Sequence, residues 1–91
     1  MDREFVLNLI NAELQYNQEP EANLMRAVIK QAFLDYLIIS TNYKYRSKKR
    51  LAREWFETNS EEFKLVCLIA QVKYSRIIEI YSLITLLKNE H

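Results

Sequence analysis

Six bases fall within ten residues, Lys44, Arg46, Lys48, Lys49, Arg50 and Arg53, with no acid among them and with Tyr43 and Tyr45 alongside. Cations at that density can neutralise several phosphates. Each phosphate engaged steepens the salt dependence of binding by about 0.9 in log–log slope. The same run also fits a solvated loop, or a surface for an acidic protein partner. The rest of the chain carries seven bases and twelve acids, so positive charge is concentrated here although the whole chain is only +1.

A second set of candidate contacts lies near the C-terminal helix. Lys73, Tyr74, Ser75, Arg76, Glu79 and Ser82 occupy outward positions, and Lys73 and Arg76 are natural readers of phosphate or guanine, with Ser75 beside them. Glu79 would repel a backbone, and Ile78 at an outward slot suits a thymine methyl or a buried surface. In a DNA-binding helix-turn-helix the two helices cross through a short turn, so certain positions must be small and others apolar. Val66 and Cys67 supply an aliphatic and a small residue, Ala70 closes the first helix, Val72 plugs the turn, and Ile77 and Ile80 face inward. Gln71 departs from the pattern. It stands where glycine commonly takes a left-handed conformation, at a cost of roughly 1 to 2 kcal/mol for any other residue.

Other chemistries find little support. The 91 residues include no glycine, which argues against phosphate-cradling loops, dinucleotide fingerprints and type I′ hairpins. Cys67 has no partner for an intrachain disulfide, and with His91 as the sole histidine no zinc cluster is expected. On its apolar face Cys67 reads as an inert core residue rather than a redox switch. Trp55 and Phe56 could stack a base, but core packing suits them better. Glu57, Glu61 and Glu62 serve helix dipoles. No catalytic residue, metal or cofactor is expected. A reducing, cytoplasmic setting fits. The start Met1, Asp2, Arg3, Glu4 lacks the basic and apolar regions of an export signal, and no apolar run approaches the roughly 20 residues of a membrane span.

The elements that must position these residues are helical. A single domain over 1–91 is expected, an all-α bundle of four or five helices with no sheet. Phe5, Leu9, Ala12 and Tyr16, widened by Val6, Leu7, Ile10 and Leu14, predict a helix over about 3–16. Pro20 suits a helix start, and Met25, Val28, Ile29, Ala32, Phe33, Tyr36 and Ile39 predict a helix over 20–40. A basic loop is expected over 41–50, then a short helix over 48–58. Asn59 with Glu62 would cap a helix over 61–70, and Ser75 would cap one over 75–88. One unbroken helix from Phe63 to Leu87 is the competing reading. The core is expected to gather Phe5, Leu9, Val28, Ala32, Tyr36, Trp55, Phe56, Phe63, Cys67, Ile77 and Tyr81.

Three stretches, Ala27-Val28-Ile29-Lys30-Gln31-Ala32 with Asp35, Ala52-Arg53-Glu54-Trp55-Phe56, and Phe63 through Ala70, resemble patches of small phage and prophage proteins. The likeness covers about residues 27 to 77. It implies a helical fold whose C-terminal half is helix-turn-helix-like, and says little about activity. In those proteins glycine follows the position of Ala70, where this chain has Gln71.

The expected function is that of a small, non-catalytic DNA-binding regulatory protein of phage or mobile-element character. It would grip the backbone of double-stranded DNA through the basic segment and present the helix from Ser75 to a groove, as a homodimer joined through the C-terminal helix. The alternative is a helical protein-interaction module, an inhibitor or assembly adaptor. Its basis is the surplus of Leu65, Leu68, Ile69, Leu83, Leu86 and Leu87, more than one small core can hold. A turn at Gln71 to Ser75 favours the first, an unbroken helix the second.

Overall fold

Asp2 opens the first helix by accepting the Phe5 amide on Oδ1 at 3.1 Å, which satisfies one of the amides that a helix start leaves free. The computed structural model describes residues 2–38 and 42–89. It contains α1 (Arg3–Glu13), α2 (Pro20–Tyr36), α3 (Tyr43–Glu57), α4 (Glu61–Ile69) and α5 (Tyr74–Asn89). The result is an all-α bundle with no strand among the described residues. No helix among them is long and apolar enough to cross a membrane.

α2 lies at the centre and packs most extensively on α3 and α4. Its Ile29, Phe33 and Tyr36 meet Phe56 of α3, Phe63 and Cys67 of α4, Ile77, Ile80, Tyr81 and Ile84 of α5, and Val6 and Ile10 of α1 in one buried cluster. Phe56 is the hub of its aromatic part: its ring lies 4.7 Å from Phe33, 4.8 Å from Tyr81 and 5.6 Å from Phe63. Such pairs add about 0.5–1.5 kcal/mol each beyond the area they bury.

The stripes expected of α1 and α2 include the buried Val6, Ile10, Ile29, Phe33 and Tyr36, but Phe5 and Val28 fall at their exposed margins. Phe5 is 51% exposed and Val28 40%, while their neighbours Val6 and Ile29 are fully buried. Both helices carry apolar residues at adjacent positions, so periodicity leaves the phase open by about 100° and packing decides it. Leu9, Ala32 and Trp55 pack partly buried against the cluster. α2 also stops earlier than residue 40: Leu37 caps it, and the Leu37 amide is shared between the Phe33 and Leu34 carbonyls. Ile39, Ser40 and Thr41 lie outside the described residues, as do Met1, Glu90 and His91.

The expected loop over 41–50 is helical from Tyr43. Asn42 caps it, accepting the Lys44 amide at 3.0 Å. Lysine and arginine are good helix formers, and a basic run needs no loop once a cap precedes it and Ala52 and Phe56 anchor its far half in the core.

Two helix starts fall one or two positions from the caps expected of them. Ser60, not Asn59, caps α4, its hydroxyl accepting the Phe63 amide at 3.2 Å. Asn59 instead takes a left-handed conformation, φ 55°, at the close of α3, a role asparagine tolerates well. Ser75 sits inside α5, where the Lys73 carbonyl accepts the Arg76 and Ile77 amides at 3.0 and 3.1 Å.

The segment 61–89 is therefore two helices. The Gln71 amide reaches the Leu68 carbonyl and the Val72 amide the Cys67 carbonyl, each at 3.1 Å, with Gln71 at φ 59°. That bond pair is the Schellman ending, built here on glutamine in place of glycine. Val72 packs on the core behind it.

None of α1 to α4 has a base in its own last turn. Distant bases take that place at three of the helix ends. Arg26 of α2 donates from Nε to the Ala70 carbonyl at 2.8 Å and from its terminal nitrogens to the Gln15 and Gln71 carbonyls. Arg3 donates to the Leu37 carbonyl and Lys88 to the Tyr36 carbonyl, each at 3.1 Å. These cations oppose the negative ends of α1, α4 and α2.

Candidate nucleic-acid interface

The first half of α3 carries Lys44, Arg46, Lys48, Lys49 and Arg50, and Arg53 follows within the next turn; all are exposed except Lys49, which is half-buried. Among the described residues only Arg50 of the six pairs with an acid, Glu54 at 3.3 Å. Arg53 and Glu57, also four apart, form no such pair; Glu57 instead accepts the Tyr81 hydroxyl. Lys48 lies 5.8 Å from the centre of the Tyr45 ring, and Tyr43, the first residue of the helix, is 83% exposed.

The placement of these bases runs against helix electrostatics. No acid stands in the first turn of α3, and Lys44 and Arg46 add positive charge to the positive end of the dipole. Each such misplacement costs a few tenths of a kcal/mol in the isolated protein. An anion at this end would reverse the sign of that effect.

α3 runs antiparallel to α5. Glu57 at its end meets Tyr81, and Lys49 and Arg53 face Lys88 in the last turn of α5. The Lys88 ammonium lies 3.7 Å above the Tyr36 ring while it donates to the Tyr36 carbonyl. Burial first, then the adjacent Lys49 and Arg53, push the Lys88 amine down to about 8. Behind it the Thr85 hydroxyl donates to the Tyr81 carbonyl at 3.0 Å, so the Tyr36 hydroxyl donates to Thr85 at 2.7 Å. Lys88 was not among the sequence candidates. A lone lysine at the end of an apolar helix carries no local signal, and only the return of α5 along α3 brings it to the basic segment.

Lys73, Ser75 and Arg76 lie at the opposite end of α5, about 18 to 23 Å from Lys88 at 1.5 Å per residue. Lys73 and Ser75 are exposed. Arg76 is held by Glu13 at 3.5 Å and Glu79 at 3.1 Å, and both carboxylates, Glu79 above all, raise its already high pKa. Tyr74 is half-buried, edge-on to Phe63 and bonded through its hydroxyl to Asn59, so it does not face outward. Ile78 packs partly buried against the core. The two sets of sequence candidates thus form separate regions, one dense and almost unpaired, the other sparse and partly neutralised.

Cys67 is buried, and burial pushes its thiol up to about 11, which fits a packing role. No group of three His, Cys, Asp or Glu side chains suited to a metal ion occurs among the described residues. In comparisons with known proteins, no family model, curated protein or solved structure matches the chain.

Proposed function

We propose that this protein is a small, non-catalytic DNA-binding regulator that grips the phosphate backbone through the first half of α3. The observation that carries this reading is the density of bases on one helix, six in ten residues, with a single ion pair among them in the described residues. Supporting it, Lys44 and Arg46 occupy the end of the helix where a base costs stability, a local conflict of the kind that concentrates at functional sites. The turn at Gln71, with a helix beginning at Tyr74, further supports presentation of α5 to a groove. Because Arg76 is already paired, Lys73 and Ser75 are the contacts available at that end.

The test is a gel-shift series on duplex DNA at rising salt. Wild type should bind at low salt and lose affinity steeply as salt rises, and Lys48, Lys49 and Arg50 replaced by alanine together should weaken binding at every salt concentration. Absence of binding at low salt, or unchanged affinity in the triple variant, overturns the proposal.

A second reading follows from α4, whose outer face exposes Leu65, Leu68 and Ile69, Leu68 at 73%, while α5 exposes Leu83 and Leu86. An interaction module, or a homodimer through α5, would cover such residues. Leu87, by contrast, packs against the core. A strictly monomeric species in sedimentation with no co-purifying partner counts against this reading.

A further inference from the structure

Lys88 is fixed by the Tyr36 carbonyl at 3.1 Å and the Tyr36 ring at 3.7 Å, so it cannot swing away from α3 without giving up both contacts. Lys49, Arg53 and Glu57 step by four along one face of α3, Tyr81 and Lys88 lie seven apart on one face of α5, and Glu57 accepts the Tyr81 hydroxyl, so Lys49 and Arg53 face Lys88 from α3 while the Tyr36 ring faces it from α2. No ion pair among the described residues joins any of the three cations to a carboxylate. Three like charges held together are unfavourable in the free protein and become favourable around an anion with several acceptor oxygens, because each ammonium or guanidinium then meets an oxygen in place of another cation.

We infer that Lys49, Arg53 and Lys88 form one phosphate-binding subsite at the junction of α3 and α5, taking a phosphodiester of the nucleic-acid backbone. The inference rests on the nucleic-acid reading above and adds α5 to the interface. A planar guanidinium at Arg53 suits bidentate contact with two phosphate oxygens, and the lysines act as point charges. Phosphate at the subsite removes the like-charge penalty on Lys88, so the protein takes up a proton on binding wherever free Lys88 is partly neutral, around pH 8 and above.

The experiment is fluorescence anisotropy with a labelled 20-base-pair DNA duplex, read at pH 7 and pH 9 and across a salt series, for wild type, Lys88→Met and Lys88→Arg. Wild type should lose about tenfold in affinity between pH 7 and pH 9. Lys88→Arg, charged throughout, should bind as wild type does at pH 7 and keep that affinity at pH 9. Lys88→Met should bind weakly at both and show a salt slope smaller by about 1. Competition with inorganic phosphate separates the two sources of the anion. A duplex displaced only at salt-like concentrations of phosphate supports the backbone phosphodiester, whereas displacement at low millimolar phosphate assigns the subsite to a small phosphate compound and overturns the backbone assignment. Duplex binding of equal strength, slope and pH dependence in all three proteins overturns the subsite while leaving the α3 reading intact. No duplex binding by wild type at low salt overturns both.

Discussion

Gln71 Nε2 donates to Glu19 Oε2 at 2.6 Å across 52 positions of sequence. Its Oε1 accepts from Asn17 Nδ2 at 3.3 Å, so the left-handed residue that closes α4 also ties that turn to the α1–α2 connection. Asn17 is held in turn by Asn23, which accepts its amide at 2.7 Å and donates to its carbonyl. A glycine at 71 would relax the backbone and lose this link.

The series Gln71→Gly and Gln71→Ala separates the two effects. The left-handed conformation costs a non-glycine residue about 1–2 kcal/mol, whereas exposed side-chain hydrogen bonds contribute about 0.5–1 kcal/mol. Glycine should therefore be the most stable by roughly 0.5–1 kcal/mol, and alanine, which keeps the backbone cost and loses the bonds, the least. Urea unfolding measures the order; a glycine variant less stable than wild type contradicts it.

Arg26 joins three carbonyls from two helix ends, at Gln15, Ala70 and Gln71. Arg26→Ala leaves them without that donor and should cost about 2 kcal/mol. Arg26→Lys should recover less than half, since one ammonium cannot span the fork that the guanidinium fills. Full recovery by lysine in denaturant unfolding would assign the effect to charge alone.

Lys88 and Cys67 act oppositely between pH 8 and 10. Folding holds the Lys88 amine at about 8, below its unfolded value near 10.4. In that window the unfolded chain binds more protons and stability rises with pH. Folding holds the Cys67 thiol at about 11, above its unfolded value near 8.5, so the unfolded chain ionises first and stability falls. Each effect is on the order of 1 kcal/mol, that of Lys88 being reduced by solvent screening at a half-exposed group. Wild type should be nearly flat across the window, Cys67→Ala should gain stability with rising pH, and Lys88→Arg should lose it. Parallel profiles for all three proteins in pH-dependent unfolding would contradict these assignments.

Sequence pattern reached what depends on local residue types. The polar break before Pro20, the inward Ile77 and Ile80, and the strained place of Gln71 all follow from spacing and backbone chemistry, and each has its counterpart in the structure. The stripes expected of α1 and α2 hold both members of each adjacent pair, Phe5 with Val6 and Val28 with Ile29, and only the fit against other helices chooses which member is buried. The basic run reads as loop because helical periodicity lapses through Lys48, Lys49 and Arg50, yet helix formation there depends on the Asn42 cap and on Phe56 two turns later. Arg26, Arg3 and Lys88 were invisible as helix-capping groups. Apart from Gln15, 11 positions before Arg26, their acceptors lie 34 to 52 positions away at Leu37, Ala70, Gln71 and Tyr36, beyond any local window of sequence.

The most direct test of the central claim, that the first half of α3 is a phosphate-gripping surface, is amide chemical-shift mapping of the full chain titrated with duplex DNA at low salt. Shifts should concentrate on residues 43–53 and on the last turn of α5, and should collapse as salt rises. Absence of shifts, or shifts confined to Leu65, Leu68 and Ile69 on the outer face of α4, would contradict it.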